Sequence, residues 1–263
     1  MPLTESYKSV LSPILLQKYS FAETRNAAQV ISAACPNEWA EVLNFLDDYQ
    51  LRTESLMKPG GRKSKVVEDL ESFFYDNGWK ETRVDSELLV FRVPKETGKM
   101  FPIKLGGKGS TFQTTEQRLK VSDSHPYVQV RSTFQEGYLI DALKGKLAVD
   151  IEWNAKDGNL DRDIAAYRAW YDFEEIAGAI LITKDWERCK KLVNDIWSDY
   201  LQTIPPERRD KLPIPVDLGT STTTSIEKAK ERIKRGDAGG CPVLVIGITE
   251  NCWDKVPYSS LEL

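Results

Sequence analysis

The sequence predicts an α/β fold, a mixed central β-sheet flanked by helices with a helical N-terminal portion, and three observations lead there. AGAILITK (177–184) and CPVLVIGI (241–248) are short, nearly all-apolar runs, the pattern of central strands covered on both faces. Helical segments precede and separate them: DRDIAAYRAWYDFEEI (161–176), a stretch around 185–202 and another near 225–235. Helices alternating with buried strands belong on the two faces of a sheet. The middle of the chain adds strands of β-branched and aromatic content, ELLVFRV (87–93), PYVQVRST (126–133) and GYLIDAL (137–143). KLAVDIEW (146–153) partners the last of these across a short Lys144–Gly145 turn.

Taken from the N-terminus, Asn37 caps the run EWAEVLNFLDDYQL, where Trp39, Val42, Leu43 and Phe45 recur at roughly helical spacing. A basic, glycine-containing loop, KPGGRKSK (58–65), follows. Ser64 opens a second helix, KVVEDLESFFYDNG, which Gly78 closes. In the segment 161–176, Ile164, Tyr167, Trp170, Tyr171 and Ile176 form the apolar side, and Asp161 is a cap. A proline-rich loop, IPPERRDKLPIPV, separates the two helices of the C-terminal part. There is no internal repeat and no low-complexity segment. The reading is one domain over residues 1–263, of which 1–80 form the mainly helical portion.

At 263 residues, 41% hydrophobic and 29% charged, the chain can bury a core without disulfide or metal staples. No apolar run approaches the ~20 residues that span a bilayer, so no membrane partner is expected. MPLTESYKSVLSPILL lacks the basic start and cleavage site of a secretory signal. The four cysteines, Cys35, Cys189, Cys241 and Cys252, are scattered, which suggests reduced, mostly buried thiols in a cytoplasmic protein. His125 is the only histidine, which argues against Ser-His-Asp and His-metal sites. LGGKGST (105–111) fails the phosphate-loop spacing, so no nucleotide cofactor is expected. DGNLDRD (157–163) lacks the glycine of a calcium loop, and Arg168 stands where its closing glutamate belongs. The net charge of −4 is unlike that of a constitutive nucleic-acid binder, although a cleft needs basic residues only locally.

The chemistry concentrates in Ile140-Asp141, eight residues, then Asp150-Ile151-Glu152-Trp153-Asn154. Asp150 and Glu152 lie two apart on a strand and share a face. A tight hairpin brings Asp141 beside them. Alternating charges also arise on strands that merely face solvent. Three converging carboxylates, however, repel one another unless a cation joins them, and Mg2+ suits carboxylates combined with phosphate oxygens.

This stretch resembles the active-site hairpin of the PD-(D/E)XK nucleases, and specifically the BglII/BstYI/BamHI branch of restriction endonucleases. VVEDLESFFYDNGWKETR is similar to the helix and strand start that precede the site there, and CPVLVIGITE to the family's last core strand. The order of elements agrees over roughly 20–250. The resemblance implies a restriction-endonuclease-like fold and a type II, Mg2+-dependent enzyme that cuts double-stranded DNA. It implies Asp141, Asp150 and, on the preceding helix, Glu68 as metal ligands, with Glu152 as the remaining catalytic residue. A palindromic site cut on both strands implies a homodimer. Ile140 stands where the superfamily has proline, Asp150 where it more often has glutamate, and Glu152 where it has lysine. The water is then activated by Glu152 itself or by the metal, with Lys156 as a spare cation. For DNA contact the reading takes Asn154 and Lys156 after the catalytic strand. It adds Arg62, Lys63 and Lys65 from the basic loop and the hydroxyls Ser221, Thr222 and Thr223 of GTSTTT (219–224). The alternatives are a nuclease of this fold without fixed sequence specificity and an inactive DNA-binding relative.

Overall fold

A computed structural model describes residues 2–58, 64–92, 129–156, 158–209, 212–216, 218 and 223–261. Arg62, Lys63, Ser221, Thr222, His125 and LGGKGST lie outside the described residues. The chain divides into two compact units, Met1–Arg83 with Tyr138–Leu263, and Val84–Gly137. In the smaller unit, β3 (Ser86–Arg92) and β4 (Gln129–Gln135) form an antiparallel pair.

The larger unit is built on a six-stranded mixed sheet. Its strands are β1 (Tyr19–Glu23), β2 (Lys80–Arg83), β5 (Leu139–Lys144), β6 (Leu147–Ile151), β7 (Gly178–Lys184) and β8 (Val243–Ile248), in the order β1-β8-β7-β6-β5-β2. The pairs β6–β7 and β7–β8 are parallel, whereas β1, β2 and β5 run antiparallel to their neighbours. Every residue of β6, β7 and β8 is buried, as the two all-apolar runs require. β1 is a strand that the sequence reading did not anticipate. It covers the outer edge of β8, with Phe21 opposite Ile246. Its last residue, Glu23, is fully buried and accepts from the Ser6 amide, the Ala28 amide (2.8 Å) and the Thr4 hydroxyl (3.2 Å). A buried acid is thereby satisfied, and it ties the first residues of the chain to the sheet.

Ten α-helices are present among the described residues. The N-terminal portion supplies α1 (Tyr7–Val10), α2 (Pro13–Lys18), α3 (Ala27–Ala34), α4 (Pro36–Asp48), α5 (Thr53–Leu56) and α6 (Lys65–Asp76); the rest are α7 (Gly158–Asp172), α8 (Trp186–Thr203), α9 (Pro206–Arg209) and α10 (Ile226–Arg235). Leu147, Val149 and Ile151 point to one side of β6 and join the core with α3, α4, α6 and α8. By the alternation of a strand, Ala148, Asp150 and Glu152 face the other side. There α7 packs on β7, and α10 packs on α7, β8 and β1.

α4 starts before the predicted Asn37 cap: Pro36 is its first residue, where a missing N–H costs nothing. α7 likewise starts at Gly158, so Asp161 lies in the first turn instead of capping it. Its carboxylate receives Arg232 of α10 at 2.8 and 3.0 Å and holds the two helices together. α6 follows the prediction at both ends. Ser64 accepts from the Val67 amide at 3.3 Å. At the other end, Gly78 N–H reaches Tyr75 O and Trp79 N–H reaches Phe74 O, both at 3.0 Å, with Gly78 at φ +80°. This is the Schellman arrangement, completed by Trp79 packing edge-on to Phe74. No atom lies within 4 Å of where a Gly78 Cβ would sit, so only backbone strain opposes a side chain there. Gly78→Ala is expected to lower the unfolding free energy by about 1–2 kcal/mol, read by denaturant titration. Trp79 then donates to Glu41 (2.8 Å), which also holds Lys144 (2.6 Å), and so β2 enters the sheet beside the hairpin β5–β6.

Candidate functional site

The hairpin turns in two residues, Gly145–Lys146, with Lys144 opposite Leu147 and Gly145 at φ +55°. Its pairing runs from Lys144↔Leu147 to Ala142↔Val149, and one step further Asp141 stands opposite Asp150. Here side chains replace the ladder. The Asp141 amide donates to Asp150 Oδ1 and the Ile151 amide donates to Asp141 Oδ2, both at 2.8 Å. The two acids are therefore clasped across the strands. Beyond them, the Glu152 amide donates to Ile182 O at 2.9 Å, which extends β6 alongside β7.

α7 lies over this face and adds residues that the sequence reading did not single out. Asp163 is only 4% exposed, compared with 4% for Asp150 and 8% for Glu152. Its Oδ1 accepts from Arg162 Nε at 2.9 Å, while Oδ2 is buried without a hydrogen-bond partner. Tyr167, one turn on, is fully buried; its hydroxyl lies near Asp150 yet makes no hydrogen bond of good geometry. Asp161, Arg162 and Asp163 are adjacent in sequence, so only the rotation of α7 selects the one that is buried.

The electrostatics are those of a crowded, dehydrated acid cluster. Burial pushes the Asp150 carboxyl well above the usual carboxylate range, and Asp141 and Asp163 push it the same way. Burial, followed by Asp163 and Asp141, raises Glu152 to about 9. Asp163 is raised by burial and opposed by Arg162. Burial is the largest cause of all three shifts, and neighbouring acids add to it at Asp150 and Glu152. Among the described residues no three or more Asp, Glu, His or Cys side chains are grouped so as to hold a metal ion by themselves. The donors are nevertheless all hard oxygens, and Asp163 Oδ2 and Tyr167 Oη are unspent, which fits a hard divalent cation held by one or two carboxylates, water and a phosphate.

The other predicted residues fall in three places. Glu68 is 49% exposed and pairs with Lys65 at 3.4 Å, as Asp69 does at 3.3 Å, so Lys65 is engaged on its own helix. One turn later, Glu71 is 7% exposed on α6, which packs against β5 and β6. Tyr75 beside it is raised to about 12 by burial, Glu71, Asp141 and Glu81, which places Glu71 and Asp141 in one electrostatic neighbourhood. Asn154 is exposed and accepts from Lys184 at 3.1 Å. Lys156 is exposed, and its backbone bridges Thr223, while the Thr224 amide donates to Ala155 O at 2.9 Å. The segments 154–156 and 223–224, far apart in sequence, are thus joined.

An acid cluster beyond the carboxyl end of a central strand, in a mixed sheet clad with helices, is the architecture of a restriction-type nuclease. The family model of the restriction endonuclease BglII/BglIII matches residues 19–248. The chain belongs to that family: it is a type II site-specific restriction endonuclease that cleaves DNA. No curated protein matches it. No helix among the described residues is long and apolar enough to cross a membrane.

Proposed function

We propose that this enzyme hydrolyses both strands of duplex DNA with Mg2+, as a homodimer of a single PD-(D/E)XK domain in a prokaryotic cytoplasm. The observation that carries the reading is the clasp of Asp141 and Asp150 at the hairpin end, with Glu152 buried beside it. Asp141 and Asp150 would hold the ion. When bound, Mg2+ supplies positive charge to the scissile phosphate and makes a water more acidic. Glu152, once ionised in surroundings that favour its protonated form, is a strong acceptor for the proton of the attacking water. Asn154, Lys156 and Thr223 would touch the duplex from the joined segments, Ser221 and Thr222 would contribute hydroxyls to DNA contact, and Arg62, Lys63 and Lys65 would meet phosphates.

The helix carboxylate is reassigned from Glu68 to Glu71, because burial and proximity to β5 favour the latter. Glu71→Gln is expected to reduce cleavage about 10-fold or more, while Glu68→Gln stays within twofold of wild type; the reverse order in a cleavage assay restores Glu68. The whole reading is tested by digesting unmodified phage or plasmid DNA with Mg2+ or with chelator, and by sedimentation of the free protein. Discrete fragments with 5′-phosphate ends in Mg2+ alone, made by a dimer, are expected. DNA that is bound but left intact, whatever its methylation, would overturn it.

A further inference from the structure

The hairpin brings acids to the site and no cation, since neither Ile140–Ala142 nor Val149–Trp153 contains lysine or arginine. Phosphodiester hydrolysis nonetheless develops negative charge on the non-bridging oxygens, and fixed positive charge there lowers the barrier. Among the described residues two cations stand near. Lys184 is fully buried, and its ammonium is occupied by Trp153 O and Asn154 Oδ1. Arg162 differs. Its Nε is held by Asp163 at 2.9 Å, its guanidinium lies 5.5 Å over the ring of Tyr138, and its side chain is 42% exposed. Tyr138 directly precedes the strand that carries Asp141, and Asp163 faces Glu152, so the guanidinium is pinned from both sides of the acid cluster. Its terminal nitrogens make no hydrogen bond among the described residues and open to solvent. The fields of Asp163, Glu152 and Asp150 all act on it. A fork oriented at Nε and stacked on a ring, with both ends unspent, has the geometry of a phosphate clamp.

We propose that Arg162 is a further catalytic residue, donating its terminal N–H groups to a non-bridging oxygen of the scissile phosphate, with Asp163 as the residue that positions it. The proposal rests on reading the acid cluster as the hydrolytic centre. Arg162 exchanges no proton: the attacking water gives its proton to Glu152 as its bond to phosphorus forms, and the bond from phosphorus to the 3′ oxygen breaks as that oxygen takes a proton from solvent water. Its contribution is to the charge that builds between those events.

The test is single-turnover cleavage of a duplex that wild type cuts, using full-length Arg162→Ala, Arg162→Lys and Asp163→Asn enzymes. Arg162→Ala is expected to slow cleavage about 10²-fold at saturating Mg2+ and at a temperature where circular dichroism shows the variant folded, with DNA affinity within threefold. Added guanidinium salt at millimolar concentration is expected to restore part of that rate, which a purely structural side chain would not allow. Arg162→Lys should retain an intermediate rate and Asp163→Asn should lose about 10-fold. Arg162→Ala cleaving within threefold of wild type, or losing only DNA affinity, overturns the assignment. An inactive wild type would instead remove the hydrolytic reading on which it stands, and the assignment with it.

Discussion

Asp150→Asn is expected to lose cleavage by about 10³-fold or more and, without divalent ions, to unfold at a higher temperature than wild type. The two effects share one cause. The amide oxygen keeps the bond from the Asp141 N–H, at 2.8 Å in the native chain, so the clasp survives. What disappears is a negative charge that burial, Asp141 and Asp163 already disfavour. Relief of that kind is worth about 1–2 kcal/mol where an active site has been kept at the expense of stability. Mg2+ should raise the melting temperature of wild type and leave the variant nearly unmoved, because only the former binds the ion in its native state. A metal-free variant that melts below wild type would show that the protein itself compensates the charge.

Lys184→Met is expected to remove a pH dependence that no other lysine among the described residues supplies in the same form. Burial lowers the ammonium from 10.5 to about 8. A lysine whose native pKa lies below its unfolded one binds more protons when unfolded in the interval between the two. Its contribution to stability is therefore complete above about 10.5, declines as pH falls, and is absent below about 8. Relative to the Met variant, wild type should gain up to about 3 kcal/mol between those limits, followed by urea unfolding at successive pH values. A difference that stays flat would mean that the bonds to Trp153 O and Asn154 Oδ1 hold the charge without penalty.

The sheet and the hairpin were legible because acids interrupting apolar strands are conspicuous, and a period of two assigns their face without knowledge of the rest. Helical acids are different. In DRDI, three charged residues open a helix, where charge is ordinary, and only the docking of α7 on the sheet reveals that Asp163 is the buried one. Glu68 and Glu71 differ in a way that position along the chain does not show. Distance from Gly78-Trp79 pointed to the former, whereas the stripe of Val66, Leu70 and Phe74 turns Glu71 inward. β1 was illegible for another reason. Five residues are too few for periodicity, and YSFAE becomes a strand because β8, more than two hundred residues away, offers an open edge.

The bridge from Lys156 to Thr223, with the bond from Thr224 to Ala155, has a practical consequence. A library that varies one of these segments alone would change the backbone partner of the other. With both segments contacting DNA as proposed, retargeting calls for the two to be varied together, and a transplant from another nuclease should carry them as a matched pair.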